Sequence, residues 1–155
     1  MNIFLKPLFS LFLIVAQSTT TNFQTGDLLC NTKELKEKAQ DGLDPFKYDS
    51  SELTHIVYKN KESIKEIEVP LFIGEKYKLV FVTQALPKPV EIQIYNKGKE
   101  SKNRKLLFSS KQTGADAKEI QFEISKTRQI FINYIVPPVE TGSYSGCSVF
   151  AIGYK

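Results

Sequence analysis

From residue 46 to residue 155 the apolar side chains recur with a period of two, which is the period of a β-strand. The segments "EIEVPLFIG", "VEIQIY" and "EIQFEI" show this most clearly, because each has one apolar and one polar side. About eight short segments of this kind are separated by turn-forming clusters rich in Gly, Pro and Asn. We therefore predict an all-β, antiparallel sandwich or barrel, since no strand–helix–strand alternation is visible.

The segment "EIEVPLFIG" contains a proline inside its alternating pattern. We expect Ile67, Val69, Leu71 and Ile73 to lie on one face of this strand. Pro70 has no N–H to donate to a neighbouring strand, so the strand is predicted to lie at a sheet edge or to bulge there.

Three other segments, "EKYKLVFV", "RQIFINYIV" and "GCSVFAIGYK", are apolar on both sides. A sandwich strand with one exposed face should alternate, so the second face of each segment needs a cover. The only helical segment after residue 26 is "LLCNTKELKEKAQDG", in which Asn31 and Glu34 have the spacing of a capping box. We predict one short helix, about Asn31 to Gln40, that packs on the outer face of a sheet and provides this cover.

The last segment has a large face and a small face. The large face consists of Phe150, Ile152 and Tyr154, and the small face of Cys147, Val149 and Ala151. Because small residues let a helix approach a sheet closely, we expect the helix on the small face and the large face inside the sandwich. The two cysteines, Cys30 and Cys147, would then form a disulfide, as is typical of exported proteins. The alternative is a pair of buried free thiols.

The first residues have the form of a cleaved secretory signal. Lys6 precedes an apolar run from Leu8 to Ala16, which is shorter than the about 20 residues needed to span a bilayer. Cleavage is expected after Ala16 or after Ser18, which leaves no transmembrane segment. We predict export to the periplasm or the cell exterior; the alternatives are an uncleaved anchor or a buried N-terminal strand.

These features divide the chain into a signal peptide at residues 1–18, a flexible linker at 19–26 and a single β-sandwich domain at 27–155. Removal of the signal takes away one basic and no acidic residue, so 20 basic and 17 acidic residues remain and the net charge is +3. Lys and Glu are mixed along the chain, which is typical of a solvated surface. The absence of an N-x-S/T sequon favours a bacterial source.

The most basic stretch is "NKGKESKNRK", which is predicted to form a loop between two strands. It contains Lys97, Lys99, Lys102, Arg104 and Lys105. A loop of this kind could bind an anionic glycan, lipid headgroups or an acidic envelope protein. The alternative is a solubilising loop that protects a sheet edge. Export and the interleaved acid at position 100 disfavour nucleic acid as a partner.

No catalytic, cofactor or metal site is predicted. His55 is the only histidine, and one histidine with two distant cysteines does not give the ligand spacing of a zinc site. Cys147 and His55 with an arginine would resemble the catalytic set of sortases, in which the arginine follows the cysteine in sequence. Here Arg104 and Arg128 both precede Cys147, and the predicted disulfide would consume its thiol. The motif "GSYSG" has Tyr144 where a nucleophile elbow needs serine.

Three acidic residues follow the predicted helix: Asp41, Asp44 and Asp49. They could lie near a calcium ion, but "DGLDP" lacks the ligand repetition of a calcium loop. Turn chemistry explains these residues equally well.

The stretch from Val69 to Lys155 resembles the bacterial prepeptidase C-terminal type of jelly-roll β-sandwich. The resemblance rests on the order "GEKYKLVF", "VEIQIYN", "RKLLFSS", "KEIQFEI", "RQIFINYIV" and a last strand at the chain end. It implies a jelly-roll-like sandwich in a module that accompanies secreted enzymes or aids binding and solubility. Glu75 and Lys76 stand where that family has an acidic pair before its first aromatic, so no calcium site or functional residue is carried over.

Two functional hypotheses follow. The first is a secreted or periplasmic non-catalytic β-sandwich that binds a protein, a glycan or an envelope surface. The second is a small exported enzyme, a hydrolase, with an unrecognised site. A cleft with clustered Tyr, Asp and Glu would favour the enzyme, whereas a flat apolar or basic surface would favour the binding module.

Overall fold

The structure, a computed structural model, describes residues 30–112, 114, 119–125 and 127–155. The predicted signal peptide and linker lie outside these residues. The described chain forms helix α1 (Thr32–Asp41), a short 3-10 turn (Ser110–Gln112) and eight strands. The strands are β1 (Lys47–Tyr58), β2 (Ser63–Pro70), β3 (Lys76–Ala85), β4 (Glu91–Tyr95), β5 (Leu106–Ser109), β6 (Glu119–Ser125), β7 (Gln129–Val136) and β8 (Tyr144–Tyr154).

The strands form two four-stranded antiparallel sheets. The first sheet has the order β1-β8-β3-β6 and the second sheet the order β2-β7-β4-β5. The chain changes sheet at most connections, and this interleaved order is that of a jelly roll. The predicted all-β sandwich of about eight strands with one short helix is confirmed.

The space between the sheets is filled by the inward faces of the alternating strands. Phe81 of β3 lies at its centre, with its ring centroid 6.5 Å from that of Tyr134 and 5.9 Å from that of Phe150. Phe150 and Ile152 are buried here and Tyr154 is partly buried, as predicted for the large face of the last strand.

Helix α1 packs on the outer face of the first sheet, as predicted. Its cap is Asn31, whose Oδ1 accepts a hydrogen bond from the Glu34 N–H at 3.4 Å. The approach is close, since a Cβ at Gly42 would lie 2.8 Å from Val80 Cγ1. The buried cluster between helix and sheet comprises Leu35, Ala39, Leu43, Val80, Val82, Ala85, Cys147, Val149 and Ala151.

A disulfide joins the start of this helix to β8, an inner strand of the first sheet. Cys30 and Cys147 have a Cα–Cα distance of 5.5 Å and are 117 residues apart in sequence. The predicted pairing is confirmed. A bridge that closes a loop of this length stabilises by about 4–5 kcal/mol on the chain-entropy account.

Two sequence predictions are wrong in detail. The helix was predicted to cover all three strands that are apolar on both sides, but it covers only β3 and β8. Strand β7 belongs to the second sheet, and its outer face is covered by residues 96–105. A Cβ at Gly98 in this loop would lie 3.3 Å from the Phe131 ring. Ile73 does not continue β2. The strand ends at Pro70, on the sheet edge as predicted, and Ile73 lies exposed in the turn that follows.

Candidate functional site: the loop end of the sandwich

Four segments lie at one end of the sandwich. Pro70 ends β2 beside Gln129 at the start of β7, and Lys76 begins β3 in main-chain hydrogen bonds with Lys155. Strand β4 runs antiparallel to β7 toward the same end, so the loop after Tyr95 starts there. We call this region the loop end; it comprises residues 71–75, 96–105, 127–128 and 155.

Arg104 anchors the long loop of this region, residues 96–105, to the second sheet. Its guanidinium carbon lies 3.5 Å from the centroid of the Tyr95 ring, and its Nη2 lies 3.7 Å from Glu66 Oε2. Asn133 is buried between the two charged groups. With its amide oriented to satisfy both, it donates to Glu66 Oε2 at 2.8 Å and accepts from Arg104 Nη2 at 3.1 Å. The arginine predicted as part of a binding loop therefore points toward the protein.

The loop backbone is held at several points. The Lys99 N–H donates to Glu66 Oε1 at 3.1 Å, and the Lys105 N–H donates to Asn96 Oδ1 at 2.6 Å. The Asn96 N–H donates in turn to the Lys105 carbonyl at 3.2 Å. The loop is thus attached both to the sheet and to itself across its base.

The four lysines of this loop all face solvent. Lys97, Lys99, Lys102 and Lys105 are exposed. Within the described part of the chain, none of the four has a carboxylate oxygen within 4.0 Å of its ammonium group. The structure thus separates the predicted basic set into one anchoring arginine and four outward lysines on a fixed backbone.

An apolar tip stands at the same end, in the turn between β2 and β3. Phe72 and Ile73 have 79% and 62% of their surfaces exposed, the highest values among the large apolar residues that the structure describes. The turn is braced at its base, where the Leu71 N–H donates to the Arg128 carbonyl at 2.7 Å and the Phe72 N–H to Tyr77 Oη at 3.0 Å. Gly74 completes it with a φ of +105°, a conformation that suits glycine.

Sequence reasoning missed this tip and the partners of Arg104. Ile73 continued the apolar side of an alternating strand pattern, so nothing marked it as exposed, and Phe72 was given no position. Glu66 and Asn133 are distant from Arg104 in the chain. They lie on β2 and β7, and the sequence does not show that these two strands pair. The usable signals near the tip were Pro70, which predicted a sheet edge or a bulge, and the turn signal at Gly74.

A cleft of about 250 Å³ lies near the opposite end of the second sheet and contains two acidic residues, Glu62 and Glu91. Glu91 accepts hydrogen bonds from Gln93 Nε2 at 2.7 Å and Ser109 Oγ at 2.9 Å, and its Oε2 lies 2.7 Å from Lys111 Nζ. Burial raises the pKa of Glu91, but the hydrogen bonds from Lys111, Gln93 and Ser109 outweigh it and the net pKa is lowered. A carboxylate stabilised in its charged form is a poor general base, so this cleft gives the hydrolase hypothesis no support.

The structure brings His55 and Cys147 together, since they are directly paired across β1 and β8. Cys147 Sγ lies 3.5 Å from His55 Nδ1, but the sulfur is bonded to Cys30. No thiol is therefore present to act as a nucleophile while the disulfide is intact.

Among the residues that the structure describes, one group of three potential metal ligands lies within 4.8 Å of one another: Cys30, His55 and Cys147. Because both sulfurs belong to the disulfide, the set does not offer thiolate ligands. The three aspartates considered as a calcium cluster, at positions 41, 44 and 49, are not brought together as such a group.

The chain matches no protein-family model, and it has no significant match among curated proteins. The resemblance to prepeptidase C-terminal modules therefore stays a prediction based on strand order. In the described ranges, no helix has the length and apolar character needed to cross a membrane.

Proposed function

We propose that this protein is an exported, non-catalytic β-sandwich module whose 96–105 loop binds an anionic envelope surface. The observation that carries the proposal is the arrangement of four outward lysines on a loop whose backbone is fixed by an inward arginine. The lysines are Lys97, Lys99, Lys102 and Lys105.

The fixed backbone favours a binding loop over a merely solubilising one. A loop that only keeps the protein soluble or protects the edge strand β5 needs charge but no defined shape. Here the Arg104 guanidinium is held by a ring, a carboxylate and a buried amide, and the Lys99 N–H is held by the same carboxylate. Preorganisation of this kind lowers the entropic cost of binding, which is the benefit expected for a recognition surface.

Export is supported by the disulfide and by the signal-like start of the chain. A bond between Cys30 and Cys147 is typical of an oxidising compartment. Intact mass of protein from the native host should show the loss of 16 to 18 residues, as expected from the two predicted cleavage positions. Full-length protein in the cytosol would contradict export.

Binding to dextran sulfate tests the proposal with a matched pair of variants. The loop variant carries Gln at Lys97, Lys99, Lys102 and Lys105. The control variant carries Gln at Lys33, Lys59, Lys61 and Lys88, which leaves the same net charge but changes the helix and the opposite end.

We expect the loop variant to lose affinity by about tenfold or more at low salt, and the control by about twofold or less, because fixed clustered charges act together. Equal losses in both variants would mean that only net charge matters, and the proposed binding loop would be wrong.

A further inference from the structure

We propose that the anionic surface bound by the loop end is a lipid bilayer, and that Phe72 and Ile73 insert into its interface. This inference rests on the proposed function, because the lysines of the 96–105 loop are what hold the tip against the headgroups.

The tip is the most unusual apolar feature of the described surface. The alternating residues before it, Val69 and Leu71, are buried, whereas Phe72 and Ile73 expose 79% and 62% of their surfaces. Two adjacent large apolar side chains at the end of a tight turn project from the domain. Isolated exposed apolar residues need no explanation, but a projecting pair suggests a surface that is buried in a partner or a membrane.

The tip is preorganised for insertion. Leu71, the residue before the tip, is buried, and the Leu71 N–H donates to the Arg128 carbonyl. The Phe72 N–H donates to the Tyr77 hydroxyl. At Gly74 a Cβ would meet no atom within 4 Å, so the far side of the turn is open. Phe72 and Ile73 are thus carried on a braced backbone, and little ordering accompanies their transfer into lipid.

The charges around the tip indicate a membrane with anionic headgroups. The acids within its segments are Glu75 and Glu100, and the exposed Asp44 lies at the same end, in the turn before β1, because Lys47 pairs with Tyr154. The exposed cations of the loop end are more numerous: Lys97, Lys99, Lys102, Lys105, Arg128 and Lys155. Lys76 is excluded from this set because its ammonium group is paired with Glu123 at 2.6 Å. An apolar tip among excess cations fits an interface of acyl chains beneath anionic headgroups.

A bilayer fits this geometry better than a folded protein partner does. A stable protein interface buries about 800 Å² per partner with shape complementarity, and two projecting side chains supply a small part of that. A lipid interface has no fixed shape and needs only apolar side chains that reach past the headgroups. Each large apolar side chain moved from water into an apolar environment strengthens partitioning by about ten- to hundredfold.

Sedimentation with vesicles tests the inference through paired substitutions. The tip variant is Phe72→Ser with Ile73→Ser, and the control is Val57→Ser with Ile64→Ser, which removes two half-exposed apolar side chains elsewhere. Vesicles are made of phosphatidylcholine alone or mixed with phosphatidylglycerol, and dextran sulfate binding is measured in parallel. We expect the tip variant to lose anionic-vesicle binding by about a hundredfold and to keep dextran sulfate binding, while the control keeps both.

A tryptophan at the tip gives an independent readout, because the chain contains no tryptophan. The Phe72→Trp variant should show a blue-shifted emission with anionic vesicles, and the Tyr144→Trp variant, altered at the opposite end, should not.

Vesicle binding that is unchanged in the tip variant, together with an unshifted emission from the Phe72→Trp variant, would overturn the inference. If dextran sulfate binding persists in that case, the proposed anionic-surface function stands, and the lysines bind anionic surfaces without insertion of the tip. If the wild-type protein binds neither dextran sulfate nor anionic vesicles, the proposed function itself is wrong and the inference falls with it.

Discussion

The guanidinium of Arg104 lies against the ring of Tyr95, with 3.5 Å between its central carbon and the ring centroid. The same group faces Glu66, and both side chains of this ion pair are mostly buried, with 21% and 16% exposed. The only arginine of the basic loop is thus used to fix the loop, while its lysines remain free to meet a partner. A planar guanidinium suits this role, because it stacks on a ring and pairs with a carboxylate at the same time.

Replacement of Arg104 by Gln should destabilise the protein by about 1–3 kcal/mol, because it leaves Glu66 partly buried without its charged partner. Urea denaturation measures the loss. Arg128→Gln is the control, since Arg128 is exposed, and it should change stability by less than about 0.5 kcal/mol. Faster amide exchange at Lys99 and Lys105 in the Arg104 variant would show that the loop has loosened, and unchanged exchange would contradict the anchoring role.

Ala151→Leu should destabilise the protein by about 1–3 kcal/mol, because Ala151 is completely buried between β8 and helix α1 and extra methyl groups would overpack that space. Thr141→Leu adds comparable bulk to an exposed loop and should be neutral. Equilibrium denaturation of both variants with the disulfide intact makes the comparison. A neutral Ala151→Leu would mean that the helix does not pack tightly on this face.

Glu91→Gln should destabilise the protein at neutral pH by about 1–3 kcal/mol, since the hydrogen bonds to its charged form are weakened. The pKa of Glu91 is lowered in the folded protein from its ordinary 4.5, so its contribution is present above pH 4.5 and is lost as the pH falls through the folded pKa. The stability difference between wild type and variant should therefore shrink on acidification. Glu62→Gln, exposed in the same cleft, is the control, and a difference that is independent of pH would contradict the assignment.

We expect the protein to lose stability at alkaline pH because Tyr134 is buried. Burial raises its pKa to about 12 from 10.0, although the neighbouring hydroxyls of Ser148 and Thr54 act in the opposite direction. Since the unfolded chain ionises first, this stability is fully present below pH 10 and is lost as the pH rises through about 12, by up to about 1.4 kcal/mol per pH unit.

Tyr134→Phe should therefore show a shallower decline in urea stability between pH 10 and pH 12 than the wild type. Tyr144→Phe, which alters an exposed tyrosine, should follow the wild type. An identical decline of stability with pH in the wild type and in Tyr134→Phe would contradict the raised pKa of Tyr134.

The sequence predicts much of the framework because strand periodicity and residue size act locally. The small face at Cys147 and Ala151 predicted both the helix position and the disulfide, since only a close-packed cover suits small buried side chains. The loop end was predictable only in part. The lysine cluster is contiguous in sequence, but the anchoring of Arg104 depends on Glu66 and Asn133, which the sheet pairing brings together over long separations. Ile73 was misread because an apolar residue after a strand looks the same whether it is buried or exposed, and Phe72 was given no position.

The most direct test of the central claim is lysine acylation of the native protein with and without dextran sulfate, followed by mass spectrometry of the peptides. Acylation should be slowed at Lys97, Lys99, Lys102 and Lys105 when the polyanion is present, because bound ammonium groups are shielded from the reagent. Lys33, Lys59, Lys61 and Lys88 should react at unchanged rates. Equal protection of the two sets, or protection confined to the second set, would contradict the assignment of the 96–105 loop as the binding surface.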